Sequence, residues 1–441
     1  MGYLETLKNK HITVLGLGVT GLGIVRFLVR HGITPKVVDS RPVPPGADWM
    51  NHNLPECEAV FGPLAEAALS ATDLVVISPG VPLYETCVAQ AIAAGVEVIG
   101  DVELFARLNE KPVIAVTGSN GKSTVVSLAA EVCQQAGLKV GLGGNIGTSV
   151  LDLLEQDFDV FVLELSSFQL ETTHSLHCLS AMILNITEDH MDRYPDFAAY
   201  CKAKLRIYQQ VDCLIYNAED PRTFVPHDNA LSVALDKADC CLIQEDGQSY
   251  FALHGKKLCP VEALAMPGRH NQFNALAVIA LLSPLGLPDS AFTAAFGTFK
   301  GLPHRCQLVA DVQGVRYFND SKATNVGATV AALESLAGEQ GQILLIVGGD
   351  AKGADLSPLK TPLQHYCKTI FCFGKDGADF MPLHPRSQMV SNLSEAVTLA
   401  AQQATAGDLV LLAPACASID MYANYMARGE EFCRLVEGQT C

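Results

Sequence analysis

Long apolar runs are missing from this 441-residue chain: none approaches the roughly 18 residues that a membrane-spanning helix needs. Cysteines at metal-binding spacing are missing too. The 15 cysteines are scattered, often inside apolar runs (Cys133, Cys213, Cys372), and no CxxC occurs. That argues against a zinc or disulfide framework and for reduced thiols. Positive charge is scarce. Against 47 Asp and Glu stand 30 Lys and Arg, and the net charge of −17 argues against a nucleic-acid surface. It leaves an anionic substrate open, because a few local cations decide a site. The opening Met-Gly-Tyr-Leu-Glu-Thr-Leu-Lys has no signal-peptide core, so a cytoplasmic location is expected. With 49% apolar and 17% charged residues, the length suits two to four well-packed domains.

One stretch organises the rest. Residues 113–116 (Val-Ile-Ala-Val) are a short, β-branched run that reads as a buried strand. Thr117, Gly118, Ser119, Asn120 and Gly121 make a small polar loop. Lys122, Ser123 and Thr124 then open a helical pattern carrying Val125, Val126, Leu128, Ala129, Val132 and Cys133. Strand, glycine loop with Lys-Ser, then helix is how a polyphosphate is cradled. Backbone N–H groups and the helix N-terminus face the anion, Lys122 reaches the terminal phosphates, and Ser123 can ligate Mg²⁺. The strict pattern wants glycine where Val116 sits, so this loop is a shorter variant. An ordinary strand-to-helix turn is the alternative.

Earlier in the chain, a strand at 12–15 leads into Gly16, Gly18 and Gly21, a G-x-G-x-x-G before a helix at 22–31. A second strand, 36–39, ends in Asp39, which completes a dinucleotide fingerprint. NAD is one occupant. Another nucleotide diphosphate would use the same physics, with Asp39, Ser40 and Arg41 for a polar head. The second nucleotide motif and the lack of an obvious hydride-transfer partner weigh against NAD. A strand at 73–77 runs into Ser78-Pro-Gly80, a rigid turn at the sheet edge where ligands of such folds bind, or simply a structural turn.

After the phosphate loop, a strand at 139–142 meets a glycine-rich loop, 143–147, that holds Asn145. A strand at 159–164 ends in Glu164, which either holds Mg²⁺ beside the phosphate loop or caps a turn. The polar stretch 165–171 favours a site. His190 with Glu164 and nearby acids suggests a carboxylate–imidazole metal site, although spacing alone also fits a loop cap. A helix at 197–208 carries Lys202, Lys204 and Arg206, which spacing alone leaves on a solvated face. Residues 231–266 read as short antiparallel strands. Asn271 and Asn274 share the first turn and one face of a helix running to 285. Strands at 307–311 and 315–318 form a hairpin around Gln313-Gly314. Further strands at 343–347, 369–373 and 409–412 each meet a glycine-rich or small-residue loop, which makes a third doubly wound unit with ligand-type residues at its strand ends.

Five motifs now stand in order: Thr117-Gly-Ser-Asn-Gly-Lys-Ser-Thr124, Glu164-Leu-Ser-Ser-Phe-Gln-Leu-Glu171, Asn185-Ile-Thr-Glu-Asp-His-Met-Asp192, Gly301-Leu-Pro-His-Arg305 and Asn319-Asp-Ser-Lys-Ala-Thr-Asn325. Across nearly the whole chain they resemble those of the Mur ligases, and the second and fifth are similar to the branch that adds D-glutamate. The resemblance implies an α/β fold of three domains, each with a mainly parallel doubly wound sheet. Residues 1–98 (Rossmann-like) would take a UDP-linked substrate, 99–300 (phosphate-loop type) ATP, and 301–441 (Rossmann-like) the incoming amino acid. It implies ATP-dependent, ADP-forming amide ligation of D-glutamate to UDP-N-acetylmuramoyl-L-alanine through an acyl phosphate, in peptidoglycan precursor synthesis, by a cytoplasmic monomer.

Residue roles follow from the same resemblance. Val19, Thr20, Asp39, Ser40, Arg41, Ser78, Gly80 and Asn145 would touch the UDP substrate. ATP would sit on Thr117, Gly118, Ser119, Asn120, Gly121, Lys122, Ser123 and Thr124, with Asn271, Asn274, Arg305, Asp320 and Lys322 closing on it. Thr324, Lys352, Ser418, Ile419 and Tyr425 would hold D-glutamate, where close relatives can carry Leu and Phe at the last two positions. Lys122, Glu164, His190 and Lys204 would be catalytic. Ser123, Glu164, His190 and Lys204, the last as a carbamate, would hold Mg²⁺, expected as two ions. A carbamate is an anionic oxygen ligand, which makes sense of a lysine at a metal site. The rivals are a sister or folylpolyglutamate-type ligase, an NAD-dependent oxidoreductase, and a nucleotide-binding regulatory module without turnover.

Overall fold

The structure is a computed structural model that describes residues 2–64, 69, 71–266, 268–336 and 341–439. Its described strands form three sheets. The first contains β1 (Ile12–Leu15), β2 (Lys36–Asp39), β3 (Ala59–Phe61), β4 (Leu74–Ile77) and β5 (Glu97–Ile99), in the order β3-β2-β1-β4-β5 and parallel throughout. Every residue of β1 and β4 is buried, as expected for parallel strands covered on both faces. Strand order reverses at β1, so the loops after β1 and β4 open the crevice where such sheets take ligands.

The second sheet contains β6 (Val113–Thr117), β7 (Val140–Gly144), β8 (Val160–Glu164), β9 (Cys178–Ile183), β10 (Val211–Asn217), β11 (Ala230–Val233), β12 (Cys240–Glu245), β13 (Gln248–Leu253) and β14 (Lys256–Pro260). Their order is β14-β13-β12-β11-β10-β9-β6-β8-β7. The helix Lys122–Gln135 packs beside it with Val125, Val126, Leu128, Val132 and Cys133 fully buried. Each of the larger side chains contributes roughly 1.5–3 kcal/mol by leaving water. Several local expectations shift here. The antiparallel reading of 231–266 holds for β12, β13 and β14, but β11 pairs with β12 in parallel. The glycine loop at 143–147 starts later than its composition suggests, because Gly143 and Gly144 continue β7. β10 carries only a mixed pattern and has no counterpart in the sequence reading, yet it lies inside the sheet.

The third sheet contains β15 (Gln307–Val312), β16 (Val315–Asn319), β17 (Ile343–Gly348), β18 (Cys367–Phe373), β19 (Ser387–Met389) and β20 (Leu409–Leu412), in the order β15-β16-β20-β17-β18-β19. Only the β15–β16 hairpin is antiparallel. An apolar cluster covers each face, one around Leu333, Leu345 and Leu411 and the other around Ile346, Val397 and Phe432. The fold class is therefore α/β with three mainly parallel sheets, as expected.

By internal contacts the chain divides into two compact units. One is Met1–Ile186, Ala198–Ala263 and Ala275–Phe296; the other is Thr187–Phe197, Leu264–Asn274 and Gly297–Cys441. The first two sheets belong to the first unit and the third sheet to the second. Among the described residues, no helix is long and apolar enough to cross a membrane, and every cysteine is a free thiol.

Candidate active site

In the first unit, β1 leads into Gly16, and the helix Val19–Arg30 starts three residues earlier than its apolar pattern indicates. Ser78 Oγ, at the end of β4, donates to Gly16 O at 2.7 Å and fixes the loop. Gly21 cannot be replaced without a clash, since a Cβ there would lie 1.7 Å from Gly16 O. Beside this loop opens a cleft of about 560 Å³. All eight residues expected to touch the UDP substrate line it: Val19, Thr20, Asp39, Ser40, Arg41, Ser78, Gly80 and Asn145.

Asp39 is buried, and its two oxygens are engaged. Oδ2 accepts from Leu17 N at 2.6 Å and Arg41 Nη2 at 2.6 Å; Oδ1 accepts from Arg41 N and Nε, both at 2.8 Å. Burial opposes its ionisation, but the Arg41 and backbone hydrogen bonds outweigh that and hold the carboxyl below its ordinary value. An NAD-type role asks this acid to receive ribose hydroxyls. Here it pairs with Arg41 instead and holds that guanidinium at the cleft.

The phosphate loop is built from the second sheet. β6 lies between β8 and β9, and Val116 pairs with Glu164, so the loop leaves the sheet beside that acid. Gly121 starts the helix with φ of +87°, a conformation that favours glycine. Ser123 Oγ donates to Glu164 Oε2 at 2.5 Å, and Asn145 Nδ2 donates to Glu164 Oε1 at 2.7 Å. Three residues thus connect the cleft, where Asn145 sits, to the phosphate loop, where Ser123 sits.

Two lysines converge on this loop. Lys122 Nζ donates to Gly118 O at 2.7 Å and Ser119 O at 2.9 Å, and Lys204 Nζ donates to the same Gly118 O at 2.9 Å. Lys204 is 2% exposed and its Nζ lies 4.6 Å from the centre of the Tyr200 ring. The solvated-face reading of this helix is therefore wrong for Lys204. The face that carries Tyr200 and Lys204 packs inward, and the α-helix ends at Leu205, three residues early. Arg206 is also tied down, donating to Leu170 O at 2.6 Å and Thr173 O at 2.8 Å.

Composition had not marked Asn185 and Tyr200 as loop holders. Asn185 Oδ1 accepts from Asn120 N at 2.9 Å and its Nδ2 donates to Asn120 O at 3.1 Å, while the Tyr200 hydroxyl lies 3.1 Å from Ser119 Oγ. The polar stretch after Glu164 is a short helix, Ser167–Glu171, closed by a Ser166–Gln169 capping box. Ser166, Phe168 and Gln169 line the cleft. The S-x-x-Q spacing could have revealed that cap.

The second unit holds His190, Asn271, Asn274, Arg305, Asp320, Lys322, Thr324, Lys352, Ser418, Ile419 and Tyr425. His190 adopts φ of +58°, and its Nε2 is 3.7 Å from Asp189 Oδ2. Asp189 Oδ2 in turn accepts from Asn325 Nδ2 at 3.3 Å. Asn271 and Asn274 do share a face, with Asn274 Nδ2 donating to Asn271 Oδ1 at 3.3 Å. Burial pushes the Asp320 carboxyl up to about 7, against the pull of the Cys306 N–H and Arg305. Lys322 Nζ sits 4.4 Å from the Tyr425 ring centre. Ser418 is buried, whereas Ile419 is exposed. Among the described residues, no group of three or more His, Cys, Asp and Glu side chains forms a ready metal cage.

Three mainly parallel sheets, the second carrying a glycine–lysine anion loop, define a phosphate-loop α/β protein of several domains. More narrowly, the chain belongs to the Mur ligase family. It matches the MurD-like N-terminal domain of Mur ligases over residues 10–100, the Mur ligase middle domain over 116–282, and the glutamate ligase domain of Mur ligases over 304–416. It is 56% identical to the UDP-N-acetylmuramoylalanine–D-glutamate ligase of Pseudoalteromonas translucida, over 99% of each chain. It is 48% identical to the protein of that name from Pasteurella multocida, over 98% of each. Two solved structures share its fold at low identity. The UDP-N-acetylmuramate-alanine ligase of Thermotoga maritima gives a TM-score of 0.62 at 18% identity, covering 98% of this chain and 100% of that one. The MurF ligase of the same organism, in complex with ADP, gives 0.61 at 16%, covering 100% and 97%.

Proposed function

We infer that this chain joins D-glutamate to UDP-N-acetylmuramoyl-L-alanine in an ATP-dependent, ADP-forming reaction of peptidoglycan precursor synthesis. Full-length relatives at 46–56% identity carry the name of that ligase. The structural observation that carries the reading is the Asn145–Glu164–Ser123 chain. It links a cleft suited to a nucleotide-bound substrate to a loop suited to a polyphosphate. A carboxylate presented from the cleft would then meet a phosphoryl group held by the loop.

Amide formation from a carboxylate needs activation. ATP supplies it by forming an acyl phosphate on the alanyl carboxylate. The neutral amine of D-glutamate attacks the acyl carbon, and the tetrahedral intermediate expels phosphate. The first step brings two anions together, so Lys122 and the loop N–H groups must offset their charge. To do this Lys122 turns away from Gly118 O and Ser119 O toward the terminal phosphate. Asn271, Asn274, Arg305, Asp320 and Lys322 are assigned to the nucleotide. Thr324, Lys352, Ser418, Ile419 and Tyr425 hold D-glutamate, orienting its amine for attack.

Ser123, Glu164 and Lys204, the last as a carbamate, would hold Mg²⁺, with His190 assigned to the same ion and a second ion expected on the phosphates. The hydrogen bond between Ser123 and Glu164 already pairs the two donors that phosphate-loop enzymes use. Lys122 and Lys204 point their ammonium groups at one carbonyl. Carbamylation of Lys204 would turn that like-charge pair into an opposite-charge pair. Bound there, Mg²⁺ would neutralise charge on the transferring phosphoryl group.

The functional domains are 1–98 for the UDP substrate, 99–300 for ATP and 301–441 for the amino acid, working as a cytoplasmic monomer. One assay tests the whole reading: phosphate release with ATP, Mg²⁺ and UDP-N-acetylmuramoyl-L-alanine, with and without D-glutamate. D-glutamate should trigger release. Release triggered by a different amino acid would assign the chain to a sister ligase.

A further inference from the structure

Arg428, in the first turn of the helix Tyr425–Glu437, is completely buried. Its guanidinium is wrapped by uncharged oxygens. Nε donates to Ser321 Oγ at 3.0 Å, Nη2 to Ser321 O at 2.8 Å, and Nη1 and Nη2 both to Cys416 O at 3.2 Å. Among the described residues, Arg428 has no carboxylate within ion-pair distance, and Asp420 acts on it only at longer range. Burial lowers its ordinary value to about 10, so it remains a cation at neutral pH. A buried cation without a paired anion is costly to keep, and a neutral residue of similar size would avoid that cost.

The acceptors explain its presence. Ser321 lies between Asp320 and Lys322 in the loop after β16. Cys416 lies in the loop after β20, two residues before Ser418. Arg428 itself is one turn beyond Tyr425. A second bracing point supports the first. Ser321 Oγ donates to Tyr425 O at 2.8 Å, Asn319 Oδ1 accepts from Ser321 N at 3.1 Å, and Asn319 Nδ2 donates to Gly429 O at 3.0 Å. The three segments that carry Thr324, Ser418 and Tyr425 are therefore tied together at one guanidinium.

We propose that Arg428 is a positioning residue for the dicarboxylate amino acid: it locks the 319–325 loop, the 413–418 loop and the first turn of the 425–437 helix in one register, and its unpaired charge favours an anion on them. The proposal rests on the D-glutamate ligase reading above. Arg428 does not itself touch the substrate, because it is completely buried and four of its five N–H groups are spent on Ser321 and Cys416.

Arg428→Lys keeps the charge but loses the planar fork that spans both loops. The KM for D-glutamate should rise about ten- to a hundredfold, the worth of one or two hydrogen bonds to a charged group. The KM values for ATP and the UDP substrate, and kcat at saturating D-glutamate, should stay within about threefold. A parallel rise in all three KM values, a fall in kcat alone, or an unchanged D-glutamate KM would overturn the proposal. If that variant does not fold, Ser321→Ala takes its place. It removes the Nε acceptor and the tie to Tyr425, and should raise the same KM roughly two- to tenfold. The unaltered enzyme separates the two levels of inference. Phosphate release that ignores D-glutamate defeats the ligase reading and this role together; normal release, with an unmoved KM in both variants, defeats the Arg428 role alone.

Discussion

The chain uses the strand–glycine loop–helix device twice in the same unit, at residues 16–21 and at 117–122, and uses it differently each time. At the first loop the helix N-terminus opens into a cleft, and the nearby cation, Arg41, is held in place by a buried acid. No lysine enters that loop. At the second loop Lys122 and Lys204 both bond to its carbonyls, and Glu164 holds its serine. The glycines differ too. Gly21 is required because Gly16 O occupies the space a side chain would need, whereas Gly121 is required for its backbone angle. In the proposed function the backbone offers a site for phosphate in both cases. On that reading, the side chains decide whether the phosphate is only held or also transferred.

The comparison breaks most decisively at Lys122. Lys122→Ala should lower turnover by about 10²–10³, the usual worth of one donor to developing charge, and leave affinity for the UDP substrate unchanged. Near-normal phosphate release in that variant would remove the distinction between the loops. Lys204→Ala should cost somewhat less, about 10² in turnover, with part of the activity restored by small carboxylates that stand in for the carbamate. Full activity without added carboxylate would end the carbamate idea.

A stability effect should follow at the first loop. Gly21→Ala should destabilise by about 1–3 kcal/mol or more, because the clash is with backbone. Gly18→Ala, with nothing within 4 Å of the added carbon and an ordinary φ of −80°, should stay within about 1 kcal/mol. Equal denaturation midpoints for the two would show that the close approach to Gly16 O is relaxed in solution.

The smallest effect concerns pH. Among the described residues, buried Asp101 has no hydrogen-bond partner at Oδ1, and its Oδ2 accepts a long bond of 3.4 Å from Gln169, which lines the first cleft. Burial raises its carboxyl from 3.8 to about 6. A raised carboxyl contributes stability in full below the unfolded value, and that contribution is lost as pH rises through the folded one. Asp101→Asn should therefore raise Tm at pH 8 by a few degrees relative to the parent, with the gain shrinking toward pH 4. A gain that does not vary with pH would mean that the carboxyl does not titrate in the fold.

Legibility in the sequence followed burial pattern and locality. The strands at 12–15 and 409–412 could be read to the residue because parallel strands covered on both faces are near-continuous apolar runs, and 36–39 because its Val-Val pair runs straight into Asp39. β10 escaped notice because its burial is uneven along its length. The helix at Ser167–Glu171 escaped because five residues carry too little periodicity to register, although its cap was written in Ser166 and Gln169.

The sequence alone settled the order of motifs, the start of the phosphate-loop helix at Lys122, and the residue types that each loop offers. Those are local properties: φ freedom at glycine, β-branched runs and capping residues act over a few positions. Only the tertiary structure decided that Lys204 lies under the phosphate loop rather than in water, that Asn145, Glu164 and Ser123 form one hydrogen-bonded chain, and that Arg428 joins two loops as a buried cation. Each depends on which helix face packs inward, or on which strands are neighbours. Those outcomes are fixed by contacts between residues far apart in the chain, which no local pattern encodes.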